Sequence, residues 1–224
     1  MIDSQQTVAA VVLDHSECAA VFQQHRIDFC CKGDLSLEAA ALGRKVELKT
    51  LLAELEAAIS QRHGDRAADP RALTTPNLVS HLVTKHHESL RRTLPFVQAL
   101  ATKVGRVHGE HNPRLRELDG AVRELADVLL SQLDAEENQL FPALTAPQLD
   151  RGEVTKQFAE MTLEHVVIAQ VLERIRAHAD DFVLPDWACN SYRTLFSELG
   201  QLEKDVFTHV HLENHVLKAR FANA

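Results

Sequence analysis

From about residue 76 to about residue 220, apolar side chains recur at helical spacing in four long runs, and the second pair of runs repeats the first. His87, in Lys85-His86-His87-Glu88, and His165, in Leu163-Glu164-His165-Val166, lie 78 residues apart. Glu136-Glu137-Asn138-Gln139-Leu140 and Glu213-Asn214-His215-Val216-Leu217 lie 77 residues apart. Two nearly equal offsets mark a duplicated helix pair. Helices of this length with short connections pack against antiparallel neighbours, so the pattern predicts an all-α fold whose main part is a four-helix up-down-up-down bundle. The predicted helices cover about 76–105, 114–145, 150–180 and 185–220. Thr75 reads as an N-cap followed by Pro76. Pro95 predicts a kink or break in the first helix. Asp150 and Glu153 form a capping box for the third, and Pro185 starts the fourth.

Residues 1–62 form a smaller helical unit, 63–74 a linker without periodicity, and 75–224 the bundle. In the small unit, helical patterns run through Thr7–Leu13, Ser16–Gln24 and about Lys45–Gln61. Between them comes the break Asp28-Phe29-Cys30-Cys31-Lys32-Gly33, after which Asp34 can cap a helix beginning at Leu35. The net charge of −8 and the scattered basic residues give no stripe that could follow a phosphate backbone, which argues against nucleic acid. No run approaches the roughly 18 apolar residues of a membrane span. The N-terminus carries no basic segment of the export type, so a reducing cytoplasm is the expected setting.

Thirteen histidines are many for 224 residues and direct attention to metal ligands. His209 and Glu213 stand one helical turn apart on a face shared with Val206, Val216 and Leu217, which points them inward. One such pair is usually an ordinary surface His–Glu contact. Here Glu136 takes the place of Glu213 in the other repeat, and His87 and His165 occupy matching places in the first and third helices. Each of the four helices thus offers a ligand-type residue, and a bound metal would offset the cost of burying them. Carboxylates with imidazoles suit iron, with manganese and zinc behind it. Adjacent Cys30 and Cys31 can act as a redox pair, with a thiolate stabilised by the following helix N-terminus. Cys18 and Cys189 read as buried structural thiols.

Nearly the whole chain resembles the RIC family, the di-iron proteins that repair iron-sulfur centres. The segment Ile27-Asp28-Phe29-Cys30-Cys31-Lys32-Gly33, together with Leu140-Phe141-Pro142 and His209-x-x-x-Glu213, carries the resemblance. It implies two non-haem iron ions in a hemerythrin-like bundle, held by His87, Glu136, His165, His209 and Glu213, with thiol chemistry at Cys30 and Cys31. It further implies nitric oxide or another diatomic molecule as ligand and damaged iron-sulfur proteins as partners. Activity would be repair or protection of clusters, by nitric oxide binding or reduction or by iron delivery. A nitric oxide reductase-like enzyme, a non-catalytic nitric oxide or oxygen binder or sensor, and a homodimer all stay open. The family pattern and the internal repeat both place a histidine at 132, where this chain has Gln132. Gln132 either binds iron weakly or through water, or another histidine compensates, or one metal is held poorly; an asymmetric di-iron site is the favoured reading. Leu217-Lys218-Ala219 departs from the family's Leu-Phe-Pro.

Overall fold

The computed structural model describes residues 2–61 and 69–221, and these form two compact units. One comprises the chain up to Leu73 together with the residues from Val210 onward; the other is Thr74–His209. Residues 63–68 of the expected linker lie outside the described residues. Apart from one isolated bridge between Thr7 and Ser36, regular structure among the described residues is helical.

The first unit holds α1 (Val8–Asp14), α2 (Cys18–Gln24), α3 (Leu37–Arg44) and α4 (Leu48–Ser60) around Phe22, Phe29, Leu37, Leu51 and Leu55, all buried. Thr7 caps α1 by accepting from the Ala10 amide at 3.2 Å. The cap of α3 is Ser36, which accepts from the Ala39 amide, and not Asp34 as the sequence suggested. Ser36 wins because its extended backbone aims Oγ at the first turn. The helix expected from Lys45 starts at Leu48, since Lys45 adopts a left-handed φ of 57° that ends α3.

The second unit is the bundle. Its first helix runs as α5 (Thr75–His81), a π-helical turn (Leu82–His87) and α6 (Glu88–His108). Its second runs as α7 (Arg114–Ala135), a π-helical turn (Glu136–Leu140) and α8 (Phe141–Thr145). Then come α9 (Arg151–His178) and α10 (Asn190–Leu212), the last of which crosses the boundary at residue 209 and continues as a π-helical turn (Glu213–Leu217). The direction of each neighbour follows from side-chain pairs. Arg91 meets Asp134 while Thr102 meets Asp119, so α6 and α7 are antiparallel. His178 meets Glu117 while Arg174 meets Glu124, which sets α7 against α9. His87 meets His209 and His108 packs on Tyr192, which sets the first helix against α10. Up-down-up-down packing therefore holds.

Three boundaries differ from expectation. The N-cap of α5 is Thr74, accepting from Asn77, with Pro76 one place further in. Pro95 lies inside a continuous α6, and the irregularity of that helix is the π-turn upstream. Pro185 belongs to a turn closed by the Ala188 amide on its carbonyl, so α10 starts only at Asn190. Among the described residues no helix is long and apolar enough to cross a membrane.

Candidate metal centre

Each π-turn meets a candidate ligand: the first ends at His87, the second begins at Glu136 and the third begins at Glu213. A π-turn carries one residue more than an α-turn and so rotates the side chains beyond it, and such turns gather at functional sites. The turns at 136–140 and 213–217 stand 77 residues apart, so the backbone repeats with the same offset as the sequence.

Inside the bundle the structure brings together His87, Gln132, Glu136, His165 and His209, none more than 2% exposed. The Nε2 atoms of three imidazoles converge on the Glu136 carboxylate, at 3.5 Å from His87, 3.9 Å from His165 and 4.0 Å from His209. His87 Nε2 and His209 Nε2 face each other at 3.1 Å. Glu213 follows His209 by one turn of the same helix and is fully buried.

The donor set fits a metal. His87 donates its Nδ1 proton to Glu137 at 2.9 Å, which leaves a lone pair on the Nε2 that faces His209. At 3.1 Å His209 Nε2 can donate a proton to that lone pair, or both nitrogens can share a cation. Donors about 2.1 Å from one ion stand about 3.0–3.4 Å apart, and the spacings of 3.1 and 3.5 Å around His87 match. Gln132 donates its amide nitrogen to Glu136 at 2.8 Å, and its buried Oε1 has no hydrogen-bond partner among the described residues.

Glu137 and Arg91 escaped the sequence reading. Arg91 Nη2 lies 3.1 Å from Glu137 and 2.7 Å from Asp134, so the acceptor behind His87 is itself anchored. Burial pushes the Glu137 carboxyl up, but the hydrogen bonds from His87 and Arg91 outweigh it and hold it below the usual carboxylate range. One signal was present: Arg91 stands four residues after His87, on the same helix face. Three further histidines have other neighbours. His86 stacks its ring on His209, His108 lies 3.1 Å from the Cys189 thiol, and His111 packs on Trp187.

Cys30 and Cys31 belong to the first unit. Asp28 accepts both of their backbone amides, at 3.0 and 2.8 Å, and the Cys30 thiol at 3.1 Å. The two sulfurs are 3.7 Å apart and are not joined in a disulfide. The carbonyls of this segment are held by the chain after Val210: His211 donates to Phe29, and Asn214 and His215 donate to Cys30. Burial, the contact with Cys31 and the charge of Asp28 push the Cys30 thiol well above its usual range. The expected dipole-stabilised thiolate is therefore corrected for Cys30, because α3 begins only at Leu37 and the nearer charge is negative. Cys18 is buried as expected, whereas Cys189 is exposed; it sits just before α10 begins at Asn190, with its sulfur beside His108.

Comparison with known proteins matches residues 78–221 to the hemerythrin HHE cation binding domain and residues 4–59 to ScdA_N, a domain of unknown function. The chain is 31% identical over 226 residues to the iron-sulfur cluster repair protein ScdA of Staphylococcus haemolyticus, covering 99% of this chain and 100% of that protein. It is 30% identical over 218 residues to the iron-sulfur cluster repair protein YtfE of Yersinia pseudotuberculosis, covering 96% of each.

Proposed function

The chain belongs to the hemerythrin-domain family of iron-sulfur cluster repair proteins, and from that premise we propose that it restores or protects iron-sulfur clusters damaged by nitric oxide or oxidative stress. His87, Glu136, His165, His209 and Glu213 would hold two non-haem iron ions, with Gln132 beside them. The observation that carries this reading is the convergence of three buried imidazoles on Glu136, with the lone pair of His87 set by Glu137. When bound, the iron pair supplies a redox-active centre that can take up a diatomic molecule such as nitric oxide.

The residues around the centre have separable tasks. Glu137 and Arg91 fix the tautomer and ring orientation of His87. Gln132 steadies Glu136 through its amide nitrogen while adding no charge, which would leave one metal with a weaker ligand set than the other. Leu82, Leu129, Leu133 and Val206 are buried in the same helices and would exclude bulk water from the centre. Cys30 and Cys31 would contribute thiol chemistry from the first unit.

Two measurements test the reading. Metal analysis of protein purified without chelator should give close to two iron ions per chain, and a metal-free protein that still supports repair would sink it. Cells lacking the gene should recover iron-sulfur enzyme activity slowly after nitric oxide exposure; normal recovery without a paralogue would count against a repair role. Stoichiometric capture of nitric oxide without nitrous oxide release would make the protein a binder, and repeated turnover would make it a reductase.

A further inference from the structure

We propose that Asp28, Cys30 and Cys31 form a second cation site, distinct from the bundle centre, which takes one soft divalent ion through two thiolates and a carboxylate and leaves its fourth position open. The inference does not depend on which metal the bundle holds.

Three observations carry it. First, one ligand atom from each residue lies within 4.8 Å of the others. Two thiolates bound at about 2.3 Å to a tetrahedral ion stand about 3.8 Å apart, and the two sulfurs here are separated by 3.7 Å. Adjacent cysteines rarely present both sulfurs to one point. They do so here because Asp28 gathers both amides into a tight turn, which places its carboxylate 3.1 Å from the Cys30 sulfur.

Second, the backbone carrying the thiols is braced. His211, Asn214 and His215 donate to the carbonyls of Phe29 and Cys30 at 3.1, 3.0 and 2.8 Å. Gly33 has no room for a side chain, since an added Cβ would meet the Phe29 carbonyl and His215. Binding would then order few groups, which favours affinity.

Third, exposure is graded across the cluster. Cys30 is 2% exposed, whereas Cys31 and Asp28 are half-buried. A cation can enter from the Cys31 side and exchange there. Three protein ligands with one open position are the pattern of a working site; a structural site closes with four. The step involves no redox change: two sulfur–metal bonds form while the thiol protons pass to solvent.

Cobalt(II) added to full-length protein with its bundle already loaded tests this. The candidate bundle ligands contain no sulfur, so a thiolate-to-cobalt charge-transfer band that persists in a Cys189→Ser background reports the new site. Wild type should develop the band and saturate at one equivalent. Cys31→Ser should abolish it, and Asp28→Asn should weaken binding by about tenfold or more while its amide oxygen still accepts the two backbone amides. His209→Ala should leave the band unchanged, which separates this site from the bundle reading. Absence of the band in wild type, its persistence in Cys30→Ser/Cys31→Ser, or wild-type affinity in Asp28→Asn would each overturn the proposal.

Discussion

His87 can present its Nε2 lone pair because Glu137 accepts the hydrogen bond from Nδ1, and Glu137 stays in place because Arg91 holds it. Replacing Glu137 by Gln keeps an acceptor of similar shape but removes the charge that fixes the tautomer. We expect Glu137→Gln to fold normally and to lose about 10–100-fold in metal affinity, measured by competition with a chelator. Gln132 gives the opposite test. Gln132→His should add a nitrogen donor at a fully buried position already within reach of Glu136, so iron should bind more tightly. Iron titration into metal-free wild type and variant decides it; equal stoichiometry and affinity would mean that residue 132 does not reach the metals. The candidate ligand types were readable at this scale because His87 and His165, and Glu136 and Glu213, recur at nearly equal offsets on inward faces, and His209 shares the face of Glu213. Glu137 was not readable, because its contact with His87 spans 50 residues and leaves no periodic trace.

At the scale of elements, the four long helices followed from apolar spacing, and their antiparallel order followed from short connections. What spacing could not show was the three π-turns, because an extra residue in a turn changes the geometry without changing residue type. Helix ends were also displaced. Pro185 looks like a helix start, yet Asn190 begins α10, because Pro185 is equally suited to the turn it occupies. The π-turns make a prediction that straight helices would not. Deleting exposed Asn138 should relax the turn at 136–140 into regular α-helix, with the apolar registers on both sides preserved. Helix content by circular dichroism should stay near wild type and thermal stability should hold, while metal binding falls by about tenfold or more as Glu136 is re-aimed. Deleting exposed Asp127 from the middle of α7 should instead turn every later core residue by about 100° and unfold the bundle. Equal damage from both deletions would show that the π-turn has no such slack.

For the whole molecule, stability should depend on pH through a thiol that belongs to neither candidate site. Cys18 is fully buried at the start of α2, with its sulfur 3.9 Å from the Leu55 carbonyl. Burial, reinforced by the charge of neighbouring Glu17, pushes its thiol up to about 12. In the unfolded chain the same thiol titrates near its ordinary value of about 8.5. Between those values the folded protein holds a proton that the unfolded chain has released, so stability falls as pH rises. The contribution is complete below about pH 8.5 and is lost progressively towards pH 12. Urea midpoints of wild type should therefore decline over that window. Cys18→Ala should start lower, because it removes a packed sulfur, but should decline less steeply, because the titrating group has gone. Parallel declines in the two proteins would assign the alkaline loss to other groups. The same reasoning ranks the thiols kinetically at mildly alkaline pH. An alkylating reagent should label exposed Cys189 and half-buried Cys31 well before Cys18, whose thiolate is scarce and shielded, and mass spectrometry of partially labelled protein would reveal any other order.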